Sequence, residues 1–319
     1  MKYLLLLIWL SSGWVTECMA ADDVPTQPPD PQASSTPNWD GFVMLPNPTN
    51  AVQFRLYTNA APDAAHLFNT FEIEGYGQQL LPSPGGENLK RWRAKTPSDP
   101  SLHNLLVDGT GPELGGKNGM TLIEQASGPD WCYVALDVTP AYGGRLKQYR
   151  RSILFVAPDL FILHDHVVAK QPVNLQMLLH PLTVTRVDPI WHDLRMELPK
   201  ASLHIHAPSR RELRVWERVV SPADSIFPDT VTMKLGPTNE VTQVELLTVF
   251  AVQPGGKKAD YVFKRVESNT AIGARIHRDA LPTLVAFRLE ANNPAPSLDG
   301  FKLTGPVGVS VFRPTRNPR

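Results

Sequence analysis

Apolar residues recur along this chain in short runs, continuous or alternating with polar residues, and turn signals separate the runs. The clearest runs are 52–57, 70–73, 105–107, 133–138, 152–156, 160–163, 175–179, 244–252 and 284–289. Pro158 and Asp159 separate two of these runs and predict the turn of a β-hairpin. The best helical candidate, 60–69, is short and interrupted. Because strands rarely alternate with helix-length segments, the pattern predicts an all-β fold, a large antiparallel β-sandwich with few short helices.

The first twenty residues have the three parts of an export signal. Lys2 gives the positive start, 4–10 form the apolar segment, and Cys18-Met19-Ala20 precede the expected cleavage. The apolar segment is too short to span a bilayer. We therefore expect a signal peptide at 1–20, a proline-rich linker at 21–40 and one sandwich domain at 41–319. The protein is then exported to the periplasm, cell envelope or medium, without a membrane span.

Composition limits the classes of partner. The 31 Lys and Arg residues balance 31 Asp and Glu residues, so no global field would recruit nucleic acid or an anionic membrane. Binding to a polyanion would therefore depend on a local basic patch. Removal of 1–20 would leave Cys132 as the sole cysteine, which predicts neither an intramolecular disulfide nor a thiolate zinc site.

Two stretches carry motifs of a known family. The first comprises 69–85, NTFEIEGYGQQLLPSPG, and 102–111, LHNLLVDGTG; the second comprises 133–137, 141–142, 150–165 and 177–180. In order and spacing these pieces resemble the heparinase II/III-like C-terminal domain of heparin, heparan and alginate lyases. The resemblance covers about the first half of the expected domain and implies the sandwich fold of that family.

The resemblance also implies a chemistry. Cleaving a uronate polymer by elimination needs a Tyr or His base, a group that stabilises developing charge, and an acid for the leaving oxygen. In the family, most of these groups lie on an N-terminal helical toroid, and the sandwich contributes a histidine. Only the linker precedes the sandwich here, so we expect the toroid half to be missing from this chain.

The histidine and zinc positions of the family are altered in this sequence. His66 lies one residue out of register with the family's histidines, and such a slip turns a strand side chain to the opposite face. Some members bind zinc at positions that correspond here to Ala65, Ser83 and His103. One ligand of three remains, so we expect no metal and no other cofactor.

Several residues remain candidates for a site. The catalytic candidates are His103, His66 and Tyr76, and the substrate-binding candidates are Asn69, Asn104, Arg91, Trp92, Arg93 and Arg151. A cationic run around a tryptophan can hold an anionic sugar by charge-assisted hydrogen bonds and stacking. For His103, the alternative interpretation is a histidine that is hydrogen-bonded at the start of a strand.

Alternation along a strand predicts that Arg145, Lys147 and Arg151 share one face, if the register is regular. The His-x-His pairs His164/His166 and His204/His206 each project from one face of a strand. Such pairs can chelate a metal, but they are more typical of ordinary strand faces.

Three functional hypotheses follow. The first is an exported sandwich that binds acidic polysaccharide, alone or with a separately encoded toroid subunit. The second is an active polysaccharide lyase that uses His66, His103 and Tyr76. The third is a structural envelope protein without sugar affinity. The sequence leaves open whether the chain is an enzyme.

Overall fold

The computed structural model of this chain describes residues 17–20, 42–45, 52–57, 69–82, 103–113, 120–128, 130–190, 192–208, 213–220, 231–257, 261–278, 281–289 and 296–311. Its strands are β1 (Glu17–Ala20), β2 (Phe42–Leu45), β3 (Val52–Leu56), β4 (Phe71–Gly75), β5 (Gln78–Leu81), β6 (Leu105–Val107), β7 (Thr121–Gly128), β8 (Trp131–Asp137), β9 (Leu146–Val156), β10 (Leu160–Val173), β11 (Leu175–Leu179), β12 (Arg186–Asp188), β13 (Asp193–Glu197), β14 (Ala201–His206), β15 (Leu213–Val220), β16 (Val231–Pro237), β17 (Val241–Pro254), β18 (Val262–Glu267), β19 (Ala271–Arg278), β20 (Leu281–Arg288), β21 (Ser297–Leu298), β22 (Phe301–Lys302) and β23 (Val307–Val311). A 3-10 helix, Thr139–Tyr142, lies between β8 and β9. Among these residues, none of the helical structure has the length and apolar character needed to cross a membrane.

The strands form three layers, and the middle layer is a sheet of eight strands. The middle sheet has the order β12-β13-β14-β17-β10-β9-β8-β7 with antiparallel pairing. Its inner face packs against a five-stranded sheet, β1 to β5, and a four-stranded sheet, β15-β16-β11-β6. Its outer face packs against the outer sheet, β18-β19-β20-β23. The predicted all-β antiparallel sandwich is confirmed.

Each face of the middle sheet has its own core, because successive side chains point to opposite faces of a strand. On the inner face, Phe161 lies 5.4 Å from Phe54 between ring centroids, and Phe250 lies 5.7 Å from Phe71. The outer core contains Leu154, Ile162, Val249, Ile272, Val285 and Phe287. Strands covered on both faces need apolar side chains at consecutive positions, which explains the continuous apolar runs of β9, β10 and β17.

The apolar runs located the strands but not always their ends. Runs 105–107 and 175–179 match β6 and β11 residue for residue. The turn at Pro158 and Asp159 joins β9 to β10 as predicted, yet both strands continue through polar residues, to Leu146 and Val173 respectively. The helical candidate 60–69 lies outside the described residues except for Asn69, which has a left-handed backbone with φ of 61°.

Cys132 forms a disulfide bond in the full-length chain. Cys132 is fully buried in β8. The other cysteine of the chain is Cys18. Cys18 belongs to β1, which pairs with β2 although it lies inside the predicted signal peptide. The expectation of an unpaired Cys132 concerned the chain after removal of 1–20, so it stays a prediction, as does cleavage after Ala20.

Candidate functional site

A buried ion pair lies among the residues of the sequence motifs at 69–85, 102–111 and 150–165. Arg151 on β9 and Asp165 on β10 face each other across the hairpin, and both have 0% exposed surface. Arg151 Nε donates to Asp165 Oδ1 at 2.8 Å and Nη2 donates to Oδ2 at 3.1 Å. Arg151 Nη1 also donates to the backbone and side-chain oxygens of Asn69, each at 2.8 Å. Burial alone would lower the pKa of Arg151, but Asp165, together with Tyr149 and Tyr142, offsets this effect and the pKa is raised.

Further motif residues extend this pair into a network. Asn69 Nδ2 donates to Asn104 Oδ1 at 2.7 Å. Asn104 Oδ1 also accepts the backbone N–H of Leu105 at 3.0 Å. Tyr142 donates to the Leu105 carbonyl at 2.8 Å, and Tyr149 donates to Asp165 at 3.1 Å. Burial raises the pKa of both tyrosines, so each phenol keeps its proton.

The network has a structural consequence for three substrate-binding candidates. Asn69 and Arg151 have no exposed surface and Asn104 has 1%. Their polar atoms bond to one another across β4, β6, β9 and β10, so they join the inner sheets to the middle sheet. In this arrangement they cannot touch a polysaccharide. They bond to one another because buried polar groups must find partners.

His103 is equally enclosed, with 0% exposed surface. Its Nδ1 accepts the backbone N–H of His180 at 3.0 Å. Its Nε2 lies 3.0 Å from the carbonyl oxygen of Pro82, which requires the proton to be on Nε2. Burial lowers the pKa of His103 to about 4. The imidazole is therefore neutral at pH 7 and both nitrogens are occupied, which matches the alternative of a hydrogen-bonded histidine at a strand start.

The remaining sequence candidates are His66, Tyr76, Arg91, Trp92 and Arg93. His66, Arg91, Trp92 and Arg93 lie outside the described residues. Tyr76 and Gly77 form the turn between β4 and β5, and their φ values of 54° and 69° suit a two-residue hairpin turn. Burial, with the nearby Asp159 carboxylate, raises the pKa of Tyr76.

The prediction that Lys147 shares a face with Arg151 is wrong. Gln148 pairs with Val168, but the next pair is Leu146 with Ala169, so Lys147 is the extra residue of a β-bulge. The bulge breaks the alternation that the prediction assumed. Lys147 is exposed and lines a surface groove, whereas Arg151 points into the inner core.

Arg145 also leaves that face. It precedes β9, and its guanidinium donates to the carbonyl oxygens of Val107, Thr110 and Gly111 at 2.9, 3.1 and 2.7 Å. Arg145 therefore closes the loop that follows β6. Arg145, Lys147 and Arg151 therefore have different roles: Arg145 closes a loop, Lys147 lines the groove, and Arg151 is buried in the core.

The surface groove lies at the β7 end of the middle sheet and has a volume of about 570 Å³. Its lining residues are Thr121, Ile123, Asp137, Thr139, Pro140, Gly144, Leu146, Lys147, Gln148 and Arg150. Sequence reasoning missed this groove. A bulge has no local sequence signature here, and the groove joins three strands with the 3-10 helix.

The two His-x-His pairs each hold a carboxylate. His164 Nε2 lies 2.6 Å from Glu245 Oε2, and His166 Nδ1 contacts Oε1 of the same side chain. Burial would raise the pKa of Glu245, but the two imidazoles lower it to about 2. This carboxylate therefore remains ionised between the two histidines.

The second pair repeats the arrangement on β14. His206 Nδ1 contacts Asp193 Oδ1, and His204 Nε2 lies 3.3 Å from the same oxygen. Phe263 of the outer sheet stacks on His206 with ring centroids 4.7 Å apart. Burial lowers the pKa of His204. Over the described ranges, no group of three or more His, Cys, Asp or Glu residues has the arrangement of a metal site.

Comparison with known proteins gives likeness at the level of structure alone. No family model matches the sequence, and no curated protein matches it. The structure resembles a heparan sulfate lyase, HepC from Pedobacter heparinus, with a TM-score of 0.62 and 14% identity over 80% of this chain and 42% of that chain. It also resembles heparinase III, with a TM-score of 0.57 and 13% identity over 80% of this chain and 43% of that chain. This chain therefore spans about two fifths of the length of these lyases, and it has a heparinase-like β-sandwich fold.

Proposed function

We propose that this chain is an exported β-sandwich that binds acidic, uronic-acid polysaccharide and acts as a binding or accessory component rather than as a complete lyase. The observation that carries the proposal is the enclosure of the motif residues. His103, Asn69, Asn104 and Arg151 retain the family pattern, but each is buried and bonded within the protein. The chain has the sandwich fold, and the motif residues bond within that fold instead of facing a substrate.

Elimination needs a base that can reach the substrate. His103 has neither exposed surface nor a free nitrogen. Tyr76 is half-buried and its raised pKa favours the protonated phenol, which is the wrong state for a base at neutral pH. Neither of these two candidates is placed to act as the base, and the third candidate, His66, lies outside the described residues. We propose a separate helical toroid subunit as a partner that supplies the remaining groups of a lyase site.

Affinity for a polymer and turnover of it can be measured on one preparation. We expect the purified protein to migrate more slowly in native gels that contain heparin, heparan sulfate, alginate or hyaluronan. We expect no ultraviolet-absorbing unsaturated product from any of the four polymers. Unsaturated product from homogeneous protein would establish a lyase and refute the accessory role. Unchanged mobility in all four gels would favour a structural envelope protein.

The basic segment that lies outside the described residues can be tested in the same gels. We expect Arg91→Ala and Arg93→Ala to reduce the retardation, because each removes a cation beside Trp92. Retardation equal to that of the unmodified protein would remove this segment from the binding surface.

A further inference from the structure

Two β-bulges converge on the groove at the β7 end of the middle sheet. On β7, Leu122 pairs with Leu136 and Glu124 pairs with Ala135, which leaves Ile123 as the extra residue. On β9, Lys147 is the extra residue. Both extra side chains line the groove, and both are exposed. Bulges re-aim side chains and are frequent beside functional sites, so two of them at one groove point to a built surface.

We propose that this groove binds an acidic saccharide unit, with Lys147 as the principal contact for a carboxylate or sulfate group. The inference rests on the proposed function and assigns the polysaccharide-binding site to this groove. The bulge at Lys147 puts Lys147, Gln148 and Arg150 on the groove side of β9, while Tyr149 stays buried.

The charges of the groove favour an anion mainly at Lys147. Arg150 is 14% exposed, and it is held by Glu124 and by Tyr133, whose hydroxyl lies 2.8 Å from Arg150 Nη2. The Asp137 carboxylate also lines the groove and carries a negative charge, while one of its oxygens accepts the backbone N–H of Thr139 at 2.9 Å. Since Arg150 is already paired, an incoming anion would gain most from the exposed ammonium of Lys147.

The neutral side chains of the groove suit a sugar ring. Ile123 is 46% exposed and Pro140 lies nearby in the lining, so both offer apolar surface to the C–H face of a pyranose. The amide of Gln148 and the hydroxyl of Thr121 are exposed and can bond to sugar hydroxyls. Small-molecule sites usually combine apolar surface with a few polar groups in fixed positions.

The test compares Lys147→Ala with Lys257→Ala, which removes the same charge from an exposed turn after β17. We expect Lys147→Ala to weaken retardation by heparin and alginate about tenfold, the size of one lost bond to a charged group. Lys257→Ala should retain the affinity of the unmodified protein. Heparin carries sulfate as well as carboxylate, whereas alginate carries carboxylate alone, so loss of retardation by heparin only would assign a sulfate subsite.

A deletion of Lys147 tests the bulge itself. It would restore regular pairing and leave Leu146 opposite Ala169, so the core should survive and the thermal midpoint checks this. We expect the deletion to weaken binding at least as much as Lys147→Ala. If both variants fold and bind as tightly as Lys257→Ala, the groove is not the site. If the unmodified protein binds none of the polymers, the proposed function itself is refuted, and the groove loses its proposed ligand with it.

Discussion

The enclosure of His103 predicts a specific dependence of stability on pH. Burial lowers the pKa of His103 in the folded chain to about 4, whereas an unperturbed histidine has a pKa of about 6.5. Between these values the unfolded chain binds the proton and the folded chain does not. The stabilisation is therefore fully present above pH 6.5 and is lost as the pH falls toward 4. A difference of about 2.5 units at 1.36 kcal/mol each corresponds to about 3 kcal/mol.

The measurement is urea unfolding of the unmodified protein and of His103→Gln at pH 7, 6, 5 and 4. Glutamine does not titrate, so the advantage of the unmodified protein over the variant should shrink by about 3 kcal/mol between pH 7 and pH 4. His204, whose pKa burial also lowers, contributes in the same direction to both proteins and cancels in the difference. His277→Gln, at an exposed position of β19, is the control and should follow the unmodified protein.

Parallel curves for the unmodified protein and His103→Gln would refute this reasoning. They would mean that His103 titrates normally, and hence that water reaches its imidazole. His103 would then again be a candidate base for the lyase hypothesis.

The remaining predictions concern the buried ion pair and the cysteine. We expect Arg151→Met to cost about 3–5 kcal/mol in urea unfolding, because it leaves Asp165 buried without its cation. The double variant Arg151→Met/Asp165→Leu should recover only part of that loss, because Asn69 and Tyr149 still lose their buried partners. A cost below about 1 kcal/mol for the single variant would contradict the network. For the exported protein, we expect an intact mass that lacks 1–20 and one thiol, Cys132, that reacts with an alkylating agent after denaturation. A mass that retains Cys18, together with no reactive thiol, would show that the disulfide persists and that the signal prediction is wrong.

The order of side chains along the chain determined the all-β fold. Val52–Leu56, Leu105–Val107 and Leu175–Leu179 could be placed from apolar runs alone, because a strand buried on one or both faces must present apolar residues with a short period. The hairpin turn at Pro158 and Asp159 could likewise be predicted from the local sequence. Turn geometry depends on a few neighbouring residues, so these predictions needed no tertiary information.

The roles of the polar residues were decided by the tertiary structure. His103 meets partners 21 and 77 residues away, and Arg151 meets Asn69 at a separation of 82 residues. A sequence motif shows that such residues occur together, but it does not show whether they face solvent or one another. Register is also non-local, because one extra residue at Lys147 redirects the side chains of β9. The sequence by itself therefore determined the sandwich, and packing between distant strands decided which residues are buried and which line the groove.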